Sequence, residues 1–258
     1  AQAYTPELLD YIERGAPRIK LADKVYTSTE YPKEKAIPLH HEMSYSNNWP
    51  SKLFFCCERA ASEGGYTPIA DDRKVINQIP DTIKEKFLEK KVMYIRNFGL
   101  GVDMGWQEAF NTDDRGKVEE YLRNTNTSFE WINKDHLKTT AIRQVTAVHP
   151  VTKETVWFNH AHLFHASNLP SEETRQYLLD AFGEDGLPRN AFYGDGTSIE
   201  DSVLDEIRNI YNLESVKFTW NEGDVLFLDN FLVSHGRTSF KGERRICVAM
   251  AELYSNSM

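Results

Sequence analysis

Seven short runs rich in β-branched and aromatic residues, each bounded by turn residues, constrain this chain most: KLFFCC, KVMYIRNF, TTAIRQVTAV, ETVWFNH, VKFTW, DVLFLDNFLVSH and RRICVAMAEL. They read as strands. Helical spacing is confined to TPELLDYIERG, DTIKEKFLEKK (81–91), residues 114–124, SEETRQYLLDAFG (171–183) and IEDSVLDEIRNIYN (199–212), each expected to bury one stripe. In the first of these, Thr5 is placed to cap the helix, Pro6 suits its first position and Gly15 ends it. HPVTKETVWF predicts a hairpin turning at Pro150 to Lys153, and Gly223 a second tight turn in WNEGDVLFLDN. Strands that mostly follow one another, without alternating helices, exclude a doubly wound parallel sheet. They predict a mainly β fold with flanking helices, an antiparallel sandwich or jelly roll.

The 258 residues carry no linker-like stretch, so one domain over 1–258 is expected. The net charge of −9 speaks against a nucleic-acid surface, which needs basic patches to release counterions. No apolar run approaches a membrane span. The first fifteen residues lack the basic and apolar regions of a signal peptide. Cys56, Cys57 and Cys247 form no disulfide or zinc spacing, and the first two sit in an apolar strand. A reducing, cytoplasmic setting follows.

IPLHHEMSY sets two adjacent histidines before a glutamate. Residues two apart on a strand share a face, so His40 and Glu42 converge while His41 points away. A third ligand is needed, and His235, at the end of an apolar run and before a glycine, is the candidate. Two histidines and a carboxylate occupy one face of an octahedron and leave three positions open, a donor set suited to Fe(II) and oxygen chemistry. A single His-x-Glu pair recurs by chance; the residues downstream give it weight. Arg244 and Arg245 open an apolar strand, on which Arg245, Cys247 and Ala249 share one face and Arg244, Ile246, Val248 and Met250 the other. An arginine beginning a core strand needs an anion and grips carboxylates bidentately. A dicarboxylate co-substrate, chelating metal at one end, meets both demands.

These residues resemble the taurine dioxygenase-like (TauD/TfdA-type) branch of the Fe(II)/2-oxoglutarate-dependent oxygenases. Its pattern is His-x-Asp/Glu, a distal histidine and an arginine about ten residues on, matched by His40, Glu42, His235 and Arg245. EGGYTPIAD matches a Gly-Gly-x-Thr segment and places Thr67. WFNH (157–160), GDVLFLDN (223–230) and HGRTSF through the two arginines extend the likeness over about residues 20–252. The resemblance implies a double-stranded β-helix (jelly roll) core, metal at His40, Glu42 and His235, and the far carboxylate of 2-oxoglutarate on Thr67 and Arg245. It further implies hydroxylation of an unactivated C–H with O2, releasing succinate and CO2. The His-x-Glu subgroup includes amino-acid-modifying enzymes of nonribosomal peptide pathways, implying natural product biosynthesis and an amino-acid substrate, free or on a peptidyl carrier protein. Ala249 stands where taurine-type members carry a sulfonate-binding arginine, so a sulfonate is excluded; Glu42 excludes a halogenase, which needs a small residue there. The chain begins 39 residues before His40, a shorter lead than the family pattern implies, either through loss of a piece or through a shorter outer sheet.

Asn159, Arg73 and Arg237 are candidate substrate contacts, the first by its family-like context, the others with a surface ion pair as an equal reading. Arg244 is expected to face outward and pair with an acid. NHAHLFH is not HExxH, so His160, His162 and His165 do not make a zinc protease; they read as supporting or exposed groups. Trp49, Phe54 and Phe55 read as core. Two other uses of this machinery remain open: desaturation or cyclisation, and a non-catalytic metal-binding jelly-roll module, for which a dicarboxylate clamp would have no purpose.

Overall fold

The computed structural model describes residue 5 and residues 7–256. Every paired strand runs antiparallel to its neighbours. The largest sheet orders Lys20–Ala22, Val25–Thr27, Arg245–Ser255, Asn48–Arg59 and Val225–Asp229. A three-stranded sheet sets Val233–Arg237 between Ile37–His40 and Ile69–Asp71. These two sheets are the jelly roll. A four-stranded sheet, Arg189–Tyr193, Val92–Phe98, Leu137–Arg143 and Ser128–Trp131, extends the molecule to one side and carries helices Trp106–Phe110 and Arg115–Asn124 on a core of its own.

Strand alternation sorts the large sheet into two faces. Leu53, Phe55, Cys57, Ile246, Val248 and Met250 point into the main core, with Trp49, Trp157 and Phe231. Phe54, Ala249 and Ala251 point outward and are covered by Leu8 and Val25. Thus the face carrying Arg244 in the alternating series is the interior one, and the face of Arg245 is the exterior.

Helices form at Asp81–Lys90, Arg115–Asn124, Glu172–Phe182 and Asp201–Glu214, where the spacing predicts them. Ser171 caps the third by accepting from the Thr174 amide, although that helix has no fully buried residue. TPELLDYIERG is a correction. Pro6 lies outside the described residues, and from Glu7 to Gly15 the segment forms no helix. Leu8 bridges Ala251, and the Leu9 amide donates to the Met250 carbonyl. The free edge of the sheet offers backbone partners that outweigh a weak helical pattern. VKFTW is a second correction: only Val216 pairs, with Ile69. Short helices at Asp72–Gln78 and Ala161–Phe164 interrupt regions that read as strand or loop. The hairpin Thr146–Val148/Thr155–Trp157 forms as expected, and Gly223 turns with φ 93°.

Candidate active site

Ile37–His40 ends at its histidine, and Glu42 lies in the turn that follows. The two converge although only His40 is on the strand. Across the ladder His235 pairs directly with His40, their rings 4.6 Å apart. One ligand atom from each of His40, Glu42 and His235 falls within 4.8 Å of the others, and His235 Nε2 is 4.0 Å from Glu42 Oε2. The His40 Nδ1–H donates to the Pro38 carbonyl at 2.8 Å, which directs the Nε2 lone pair to this point. Burial lowers the pKa of His40 and takes that of His235 well below its usual value, so both rings are neutral and able to ligate. The donor chemistry fits an Fe(II) facial set.

His41 faces away, as its parity requires. Fully buried, it contacts the Asn230 and Trp157 carbonyls at 2.7 and 3.1 Å and Asp72 Oδ1 at 3.1 Å. Asp72 also accepts from Tyr211 Oη and from the Ser234 amide, beside His235. Asn230 locks the turn bearing Glu42: its Oδ1 accepts from the Glu42 amide, and its Nδ2 donates to the Glu42 and Pro50 carbonyls.

Thr67 and Arg244 lie together beside the histidines. Gly64 and Gly65 both take positive φ, 71° and 69°, and a Cβ on Gly64 would meet the Ser239 carbonyl at 2.3 Å. The Gly-Gly pair lets this loop press against the strand returning from His235 and brings Thr67 to the site. Arg244 donates through Nε to the Gly65 carbonyl at 2.9 Å and through Nη2 to Thr67 Oγ1 at 3.3 Å. Trp220 Nε1 donates to the same hydroxyl at 2.9 Å. Burial, then the nearby Arg237, pulls the Arg244 pKa down to about 10, the mark of a cation short of an anion.

Arg245 is a correction. Its side chain is 55% exposed and pairs with Glu58 at 2.7 Å. The ladder shifts register between Arg245 and Ile246, and alternation from Ile246 inward puts Arg244, not Arg245, on the core side. The position four residues after Arg244 is Val248, buried in the core, so an arginine for a sulfonate is still lacking. Asn159 is also a correction: its amide donates to the Val145 carbonyl and its Oδ1 caps the Ala161 amide. Of the two readings of Arg73, the surface ion pair is the one found: Asp71 and Glu154 hold it, and its role as a substrate contact is corrected. Arg237 reaches the site's rim, but its guanidinium is used on the carbonyls of Tyr31, Pro32 and Lys35, pinning that loop.

Arg18, which the sequence does not mark, and His160, which reads there as a supporting or exposed group, stand at the centre. Arg18 donates through Nη2 to Glu42 Oε2 at 2.6 Å. Burial opposes its charge, and Glu42 and Tyr11 more than offset this, raising its pKa. His160 lies edge-on to His40, ring centres 5.4 Å apart, with Nδ1 2.6 Å from Ser44 Oγ. Nothing in GAPRIK marks Arg18, which follows an irregular segment; the density of histidines in NHAHLFH was the only signal for His160. His40 and Arg18 line both of two cavities. The larger, about 550 Å³, is walled by Tyr11, Tyr45, His160, Leu163, Phe164 and Arg189 among others. The smaller, about 30 Å³, is bounded by Phe55, Thr67, His235, Arg244 and Ile246.

His40, His160, His162, His165 and His235 all carry pKa values depressed chiefly by burial, His165 to about 4 and His162 to about 3. Each takes up a proton more readily unfolded than folded. Stability without metal should therefore be complete above about pH 6.5 and decline as pH falls from there towards about 4. Urea midpoints measured at about pH 7.5 and 5 check this, with the lower midpoint expected in acid.

The chain matches the family described as "Taurine catabolism dioxygenase TauD, TfdA family" over residues 1–250. It is 44% identical over 246 residues to the dapdiamide synthesis protein DdaC of Enterobacter agglomerans, covering 95% of this chain and 74% of that protein. A clavaminate synthase-like protein of Arabidopsis thaliana is 29% identical over 263 residues, with 97% and 76% covered. Among solved structures, an asparagine oxygenase in complex with Fe(II), 2S,3S-3-hydroxyasparagine and succinate shares the fold, with a TM-score of 0.51 and 11% identity. That alignment covers 88% of this chain but only 56% of the oxygenase. No helix among the described residues is long and apolar enough to cross a membrane. With the jelly roll in place, the match along nearly the whole sequence makes this chain a member of the TauD/TfdA family, an Fe(II)- and 2-oxoglutarate-dependent dioxygenase.

Proposed function

We propose that His40, Glu42 and His235 hold the Fe(II), that Thr67 and Arg244 hold the far carboxylate of 2-oxoglutarate, and that the larger cleft receives a small polar substrate. That substrate is an amino acid, free or on a peptidyl carrier protein, and one unactivated C–H becomes C–OH. The reading treats 1–258 as one oxygenase domain working in the cytoplasm. One observation carries it: the three-ligand set stands where two cavities meet, a half-buried guanidinium and a buried hydroxyl in one and room for an organic substrate in the other. Similarity to a dapdiamide synthesis protein supports a place in natural product formation.

Iron with bound 2-oxoglutarate supplies the activation of O2, and the sum of the reaction is substrate, 2-oxoglutarate and O2 giving hydroxylated substrate, succinate and CO2. The chain's own work is positioning and exclusion of water. Trp220 donates to Thr67 Oγ1, which leaves the threonine hydrogen free for a carboxylate. The smaller cavity has room for about two or three waters, less than a dicarboxylate needs. The co-substrate therefore binds by exchange: Arg244 gives up Thr67 and Gly65 for the incoming carboxylate. Phe55 and Ile246 keep that end apolar.

Anaerobic Fe(II) and 2-oxoglutarate are expected to produce a visible metal-to-ligand charge-transfer band, absent in His40→Ala. Amino acids, free and as carrier thioesters, are then screened for faster succinate release. Absence of the band in the wild type overturns the assignment of the site. A band with no stimulation by any member overturns the substrate class.

A further inference from the structure

Among the described residues, Arg18 is the one cation at the metal position whose hydrogen-bonding capacity is mostly unspent. Its side chain is 3% exposed. Nη2 is used on Glu42, while Nε and Nη1, both buried, find no partner among the described residues. The guanidinium sits 4.7 Å from the centre of the Tyr11 ring, which walls the same cleft. The other arginine of that cleft, Arg189, is satisfied by Asp103 and the Gly15 carbonyl. Buried N–H groups left unpaired are costly, and more so when charged. Such groups persist where a ligand completes them.

We infer that Arg18 is the substrate's carboxylate receptor: the large cleft selects a molecule with a free carboxylate, which Arg18 grips beside the metal. The inference rests on the function proposed above and narrows it. In the chain without metal, Glu42 has Arg18 as its close cationic partner. A divalent cation at His40, Glu42 and His235 takes over the neutralisation of Glu42, and Arg18 then has charge to give. Its planar fork of donors matches a carboxylate's two oxygens, whereas a neutral amide supplies one acceptor and two donors that Arg18 cannot use. Because Arg18 touches a metal ligand, the oxidised carbon lies only a few bonds from that carboxylate. The rest of the substrate runs along Leu163, Phe164, Leu178 and Leu187, a mostly apolar wall. A free acid is therefore preferred to a carrier thioester of the same carboxyl group.

The same guanidinium could instead hold the metal-bound carboxylate of 2-oxoglutarate, since Arg18 lines the smaller cavity too. One titration separates the two. The anaerobic Fe(II)·2-oxoglutarate protein is titrated with a panel of the common L-amino acids and their N-acetyl derivatives, each paired with its α-carboxamide, and perturbation of the charge-transfer band is followed. At least one acid is expected to bind about tenfold or more tightly than its amide. Arg18→Gln should reduce that ratio to about one, Arg18→Lys should retain part of it, and the 2-oxoglutarate Kd should move less than about threefold in either. The band itself shows that each variant still builds the centre. The inference falls if no acid outbinds its amide, if the preference survives in Arg18→Gln, if that variant forms no band, or if the 2-oxoglutarate Kd rises instead. A wild type without any band would sink the proposed function first, a different failure.

Discussion

Arg244→Ala is expected to raise the Kd for 2-oxoglutarate by about two orders of magnitude, while Arg245→Ala leaves it within about twofold. Arg244 is half-buried, reaches Thr67 and Gly65, and lies on the interior face of its strand. Two charge-assisted hydrogen bonds to a carboxylate, each contributing about 1.5–3 kcal/mol, set the scale. Arg245 pairs with Glu58 at the surface, where an ion pair contributes about 0–1 kcal/mol. Titration of the charge-transfer band with 2-oxoglutarate in the two variants measures both. An intact affinity in Arg244→Ala would return the clamp to its neighbour.

The second large effect is expected at Asn230, which touches no ligand atom. Asn230→Ala removes three hydrogen bonds at once and strands the Glu42 amide and the Glu42 and Pro50 carbonyls in a dry interior. At about 1–3 kcal/mol for each group left unpaired, a loss of roughly 3–5 kcal/mol is expected, or a Tm lower by about 10 °C. The turn it locks carries Glu42, so Fe(II) affinity should fall with stability. Asn230→Asp should be no milder, because a carboxylate would face two carbonyls where Nδ2 now donates. Thermal melts and metal titrations of both variants check this. Unchanged metal affinity in a folded Asn230→Ala protein would show that the turn holds without its clamp.

Period-two logic holds for the two faces of the last strand, and it expects His40 and Glu42 to converge, which they do although Glu42 lies in the turn after the strand. His40 and Glu42 converge and His41 turns away, to be fully buried against Asp72, Asn230 and Trp157. Arg244 and Ile246 do share a face, as alternation requires. What alternation cannot state is which face is the interior, and there a counted spacing of ten residues favoured Arg245 over its neighbour. The register shift at Arg245 and the partly exposed Glu58 decide it, and neither is visible without the partner strand.

The N-terminal segment failed for a related reason. TPELLDYIERG has the spacing of a helix, but an unpaired sheet edge claims the backbone at Leu8 and Leu9. Tyr11 and Arg18 then line the larger cleft, where a helix ending at Gly15 would have left no reason to look for them. Asn159, marked by its context, is used locally on a helix cap, and Arg73 takes the surface ion-pair alternative that the sequence leaves open. Long-range pairing, absent from any local window, supplied what the residues themselves could not.

The most direct test of the central claim is an anomalous-difference map from crystals grown anaerobically with Mn(II) and 2-oxoglutarate. The expected result is one peak at coordination distance from His40 Nε2, Glu42 and His235 Nε2, with the far carboxylate of 2-oxoglutarate on Arg244 and Thr67. A peak elsewhere, or that carboxylate seated on Arg245, would contradict it.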